Sequence, residues 1–353
     1  MATLDQDVNV NVEINMRKSK HKENSFANER LIITGGGPVE IGSGVSALAY
    51  SLVLGKRQEK MLLNFRPHNV SLITLGTILL WFGWLGFNGG SAFGANLRAS
   101  MACWNSNITA AMSGITWVLL DFRLARKWSM VGFCSGLISG LVAATPASGF
   151  ITPHASVLLG VTSGVLCNYG TKIKGWVGID DTMDVFAEHG LAGIIGLLFN
   201  GLFGDDNIVA LDGVTLLPAG GGWVNHNYAQ LYKQFAYIVA VCAYSFGMTL
   251  FICLVINWIP GLHLRANEKA ELLGMDDDQL GEFAYDYVEV RRDYLAWTPA
   301  KEHHDQQTPV TPSNIHGIPE HTEMIEGHAP RSSRQTSDEI VSELEEKRSK
   351  PSS

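Results

Sequence analysis

Glu40 and His189 stand where ionisable side chains are costly. Glu40 lies between GGGPV and IGSGVSALAY, and His189 lies in DVFAEHGLAGIIGLLF, both inside long apolar stretches. A charged group at mid-bilayer costs about 3 kcal/mol, so a titratable residue there is a functional candidate by default. An imidazole facing a carboxyl in a narrow apolar channel can pass a proton across. The pair could then relay the proton of a small cation whose neutral form crosses an apolar pore. The sequence does not say that the two residues face each other, and a histidine on an apolar helix is often a hydrogen-bonded core residue.

A second pattern could supply the channel wall. Leu80, Trp84, Phe87 and Ser91 recur at i, i+4, i+7 and i+11, one face of a helix. An aromatic face ending in a hydroxyl can hold a small cation by cation–π attraction and a hydrogen bond, although such a stripe is more often plain packing. Val185 lies one turn before His189 on the same face and could line the same channel, whereas Glu188 projects about 100° away. Asp180, Asp181 and Asp184 open the His189 stretch, where carboxylates cap a helix N-terminus and meet its dipole. Asp184 is therefore read as structural. No nucleophile–base pair, phosphate loop or metal-ligand cluster is evident, so the chain is not expected to be an enzyme, and no catalytic residue, metal or cofactor is expected.

The elements that must position these residues are apolar spans. Seven stretches, near 35–55, 70–93, 98–122, 129–147, 154–171, 184–203 and 233–259, approach the roughly 20 residues that cross a bilayer as a helix. Hydrophobic residues make up 46% of the 353 and charged residues 17%, below the roughly 25% usual in soluble domains. The fold class is all-α, a polytopic membrane helix bundle. Gly132, Gly136 and Gly140, and again Gly160 and Gly164, have the spacing that lets helix backbones approach closely in lipid. All five cysteines fall in apolar stretches without metal-like spacing and read as small core residues. The net charge of −8 argues against nucleic acid as a partner.

Loop charges set the expected orientation. Lys56, Arg57, Lys60 and Arg66 follow the first span, Arg123, Arg126 and Lys127 the third, and Lys172 and Lys174 the fifth. The intervening loops are nearly free of basic residues, and 204–232 carries Asp205, Asp206 and Asp212. The first span is thus expected to enter from outside and the C-terminus to lie in the cytoplasm. The basic N-terminal residues Arg17, Lys18, Lys20, Lys22 and Arg30 then fall outside, against the positive-inside rule. That conflict suggests that this leader is not what the membrane part originally followed. Four regions result: a polar segment 1–34, the membrane domain 35–260, a cytoplasmic region 261–295, and a tail 296–353 whose Pro, Ser, Thr and Glu content predicts disorder. Ser332, Ser333, Thr336 and Ser337 beside Arg331 and Arg334 form a plausible kinase target.

GGGPVEIGSG (35–44), PHNVSLITLGTILLWFGWLGFNGGSA (67–92), GLISGLVAATPASGFI (136–151), DDTMDVFAEHGLAG (180–193) and LGMDDDQLGEFAYD (273–286) together resemble the ammonium transporter (Amt/Mep/Rh) family, fungal permeases in particular. The resemblance covers about 35–290. It implies passage of ammonium or ammonia, with methylammonium as analogue, through one apolar pore per subunit of a homotrimer, or a hetero-trimer with relatives, set in membrane lipid. His189 matches the second of the family's paired pore histidines, Glu40 stands at the first and resembles a fungal variant, and Phe87 matches one of two gate phenylalanines. Trp84 and Ser91 match neighbours of the pore and of the outer recruitment site, and Asp184 a structural aspartate. The seven spans correspond to the last seven of the family's eleven helices, and Ile32 replaces an aspartate that usually precedes the glycine run. A pore formed between two inverted halves would then not close within this chain alone, so impaired transport is expected. Two alternatives are a non-transporting ammonium sensor or regulatory subunit and a seven-helix receptor, the latter without DRY or NPxxY signatures.

Overall fold

In the computed structural model the described residues are 35–58, 67, 69–215 and 220–282. The chain divides into two compact units, Met1–Tyr285 and Asp286–Ser353, and the described residues all belong to the first. The 1–34 leader, Lys60 and Arg66, the end of the 261–295 region and the 296–353 tail with its Ser/Thr cluster lie outside the described residues.

Among the described residues seven long helices carry the unit: α1 (Gly36–Leu54), α2 (Val70–Gly90), α3 (Leu97–Ala125), α4 (Met130–Ala147), α5 (Pro153–Gly170), α6 (Phe186–Phe203) and α7 (Tyr228–Trp258). Their starts are coded locally. The side chains of Asn69, Asn96, Ser129 and Thr152 accept hydrogen bonds from the backbone N–H groups of Leu72, Ala99, Gly132 and Ala155, filling the orphan donors of α2 to α5. Six of the seven are long and apolar enough to cross a membrane. The exception is α5, whose 18 residues include Ser156, Thr162, Ser163 and Asn168, which dilute its hydropathy.

α3 packs along both α4 and α5, and α4 packs in turn on α6. Glycine sets these approaches: a Cβ at Gly140 would press on Thr109 and Ser113 of α3, and one at Gly164 would press on Ser113 and Thr116. Both small-residue motifs thus close on α3, where close backbone contact takes the place of a hydrophobic driving force. α7 packs on α1 and α6, and α2 on α3 and α4. Of the apolar stretches, 72% of that in α4 and 61% of that in α6 is buried, against 6% in α2 and 11% in α7. The core is therefore α4 and α6, with α2 and α7 at the periphery. A buried ion pair, Arg98 Nη1 to Asp212 Oδ2 at 3.0 Å, ties the 204–232 connection to the start of α3.

At the opposite end, the chain after α7 returns onto α1. Arg265 donates to the Leu54 carbonyl at 3.2 Å while pairing with Glu271 at 2.6 Å. Nearby, Arg57 grips Asp180 through Nε at 2.7 Å and Nη2 at 2.9 Å. The guanidinium hydrogen bond holds the Asp180 carboxyl below the usual carboxylate range, against the opposing effect of burial. A depressed folded value means the contact stabilises above the unfolded carboxylate pKa of about 3.9 and is lost as pH falls through the folded one. Arg57→Gln is expected to lower stability by about 1 kcal/mol at neutral pH. The gap to the parent should close below about pH 4, read as thermal unfolding of detergent-solubilised protein.

Candidate functional site

α1 and α6 both open with a turn of π-helix, at Gly36–Ile41 and Phe186–Leu191. Such wide turns are rare and cluster at functional sites. Glu40 sits in the first and His189 in the second. The two helices cross where glycine faces backbone: a Cβ on Gly44 would overlap the nitrogen and Cα of Gly190, and one on Gly193 would come within 2.9 Å of the Glu40 Cβ. This crossing brings His189 Nδ1 to 2.9 Å from Glu40 Oε2. The Glu40 side chain is 1% exposed and that of His189 27%. The other carboxyl oxygen, Oε1, is buried and has no hydrogen-bond partner among the described residues.

The pair opens into a pocket of about 610 Å³ with an overwhelmingly apolar lining. Val39, Glu40 and Ser43 contribute from α1, His189 from α6, and Gly76, Leu79, Leu80, Gly83, Trp84 and Phe87 from α2. The Trp84 ring lies 5.9 Å from Phe87, edge to face, and 6.5 Å from His189. Its Nε1–H donates to Thr145 Oγ1 at 2.9 Å, so α4 fixes the indole against the pair.

Five of the seven pore candidates read from the sequence, Glu40, His189, Leu80, Trp84 and Phe87, thus line one cavity. Ser91 and Val185 do not line it. Ser91 caps the end of α2 and donates to the Phe87 carbonyl at 2.9 Å. Val185 precedes the π turn, and its N–H donates to Asp181 Oδ1 at 3.1 Å. Asp181 is the carboxylate that caps α6, accepting from Phe186 N–H as well, at 3.0 Å. Asp184 instead adopts a left-handed φ of 53° and pairs with Lys174 at 2.7 Å. Val39, Ser43, Gly76, Leu79 and Gly83 were not anticipated. Ser43, one turn beyond Glu40, and Gly76 and Gly83, flanking Leu80, carried the available signal. Glu188 is buried away from the pocket, against Ser135.

A family model described as the Ammonium Transporter Family matches residues 22–285. The chain belongs to the ammonium transporter family. The match starts upstream of Gly35, within the segment the sequence reading set apart. Members of the ammonium transporter family are transporters rather than enzymes, and the family replaces the receptor alternative. Ammonium transporter MEP1 of Saccharomyces cerevisiae is 58% identical over 263 residues, 74% of this chain and 53% of the relative. Ammonium transporter 2 of Schizosaccharomyces pombe is 52% identical over 266 residues, 74% of this chain and 52% of the relative. The crystal structure of Candida albicans Mep2 matches with a TM-score of 0.64 at 46% identity, covering 71% of this chain and 56% of that one. The chain therefore spans about half the length of the curated relatives it matches.

Proposed function

We propose that this chain serves in the transmembrane transport of ammonium, and that Glu40 and His189 handle the substrate proton in an apolar conduit. The observation carrying the proposal is the 2.9 Å contact between His189 Nδ1 and Glu40 Oε2 at the edge of a pocket walled by Leu80, Trp84 and Phe87. With Glu40 ionised, His189 donates its Nδ1–H to the carboxylate and keeps a lone pair on Nε2. That lone pair can take a proton from an ammonium ion, and the adjacent carboxylate balances the imidazolium that results. Neutral ammonia then passes the apolar wall, which excludes the desolvated ion. Trp84 and Phe87 offer ring faces to the cation before it gives up its proton.

In this reading the protein lies in the plasma membrane with the C-terminal region in the cytoplasm, and three subunits assemble, each with its own conduit. Because the chain spans half of its relatives, its α2 and α7 faces meet the rest of the transporter before a conduit closes. Uptake of labelled methylammonium in cells lacking their own permeases tests this. The chain alone is expected to give background uptake. Co-expression with the N-terminal half of a relative is expected to raise uptake at least about tenfold. Background uptake in both cases, with the two polypeptides shown to be associated in the membrane, would end the proposal.

A further inference from the structure

The α3–α4 turn carries a basic rim with no part in the pocket. Arg123, Arg126 and Lys127 are all exposed there, and they make no ion pair among the described residues. Asn168 at the end of α5 donates to Asp121 near the end of α3 at 3.0 Å. That bond sets the two helix ends side by side and adds the exposed Lys172 to the same rim. Asp121 accepts from the neutral Asn168 amide and keeps its negative charge, while Asp184 is paired with Lys174 at 2.7 Å. Arg123, Arg126, Lys127 and Lys172 together outweigh Asp121, so the rim is net positive.

Two further observations point outward from it. Trp128 is 65% and Trp176 83% exposed, on a protein end whose basic loops mark the cytoplasmic leaflet. Trp128 stacks on Phe122 at 4.3 Å with an interplanar angle of 14°, and the Arg126 guanidinium lies 6.0 Å from the same Phe122 ring. The turn thus holds Arg126 beside an aromatic platform. Arg126 also has a φ of 56° at the C-cap of α3, a position where glycine is the unstrained choice. An arginine there gives up backbone comfort for a cation held at the rim. Neutralising the dipole of one helix end would need a single cation and no exposed tryptophan.

We propose that the α3–α4 turn, with Arg123, Arg126, Lys127 and Trp128, is a docking surface for the headgroups of anionic phospholipids in the cytoplasmic leaflet. The cations meet phosphate and carboxylate oxygens, and the indole sits at the glycerol level, where amphipathic rings concentrate. Each basic residue near an anionic surface contributes about fivefold to partitioning at physiological salt.

The test uses the full chain in neutral detergent, with native mass spectrometry counting retained phosphatidylserine against phosphatidylcholine. The parent is expected to prefer phosphatidylserine at least about tenfold, with the preference shrinking as salt is raised. The triple variant R123Q/R126Q/K127Q should fall to within about twofold of no preference. R126G removes one charge while relaxing the turn, so it should fold at least as well as the parent and lose about fivefold. Soluble glycerophosphoserine at equal concentration should not compete. An absent preference in the parent, an unchanged one in R126G, or full competition by the soluble headgroup would each overturn the proposal.

Discussion

Gly44→Val is expected to prevent recovery of folded protein, whereas Gly86→Ala leaves it intact or slightly more stable. A Cβ on Gly44 would coincide with the Gly190 backbone and lie 3.0 Å from the His189 carbonyl carbon. The atoms in its way are main chain, so no rotamer change relieves the overlap and α1 must move off α6. Overpacking of this kind costs about 3 kcal/mol or more, a large share of the stability a domain has in total. It also pulls Glu40 from His189, because both residues sit within one turn of the crossing. At Gly86 a Cβ would meet nothing within 4 Å, and alanine in a helix interior gains up to about 1 kcal/mol over glycine. Monodisperse yield and thermal midpoint by size-exclusion chromatography separate the two. A Gly44→Val protein that elutes and melts like the parent would mean that α1 and α6 are not held by this contact.

The glycine at this crossing also marks where the sequence stopped being readable. The helices follow from runs of apolar residues, and Glu40 and His189 stand out because ionisable residues are rare in such runs. Their juxtaposition depends on Gly44, Gly190 and Gly193 meeting across two helices that are far apart in the chain, a non-local match that no periodicity encodes. Val185 was misjudged for a related reason. A 3.6-residue period places it on the His189 face, but the π turn beginning at Phe186 widens the spiral, so i and i+4 no longer align. Ser91 fell off the pocket face because α2 ends at Gly90, one residue short of an extrapolated i+11. Asp184 was grouped with Asp181 as a cap, yet its left-handed φ and the proximity of Lys174 are products of the turn that precedes α6. Composition and spacing singled out the candidate residues, and backbone crossings decided their geometry.

Glu40→Gln is expected to keep the fold and abolish most transport. The amide matches the carboxyl in shape, and its Nε2–H₂ can donate to His189 Nδ1. In that orientation the imidazole proton moves to Nε2, because a neutral ring has one donor and one acceptor nitrogen. The lone pair that would receive the substrate's proton is then gone, and in either amide orientation so is the negative charge that would balance an imidazolium in an apolar site. Loss of a positioned proton acceptor costs about 100-fold or more, so methylammonium uptake by the transporter assembled with a relative's N-terminal half should drop by at least that factor. Yield and thermal midpoint should stay near those of the parent, since a buried carboxylate with one unpartnered oxygen contributes little net stability. Glu40→His separates shape from chemistry: a second imidazole can exchange protons with the first, so this variant should recover uptake with a shifted pH profile. Parental uptake by the glutamine variant would mean that the 2.9 Å contact is a packing bond and that the proton travels by another route.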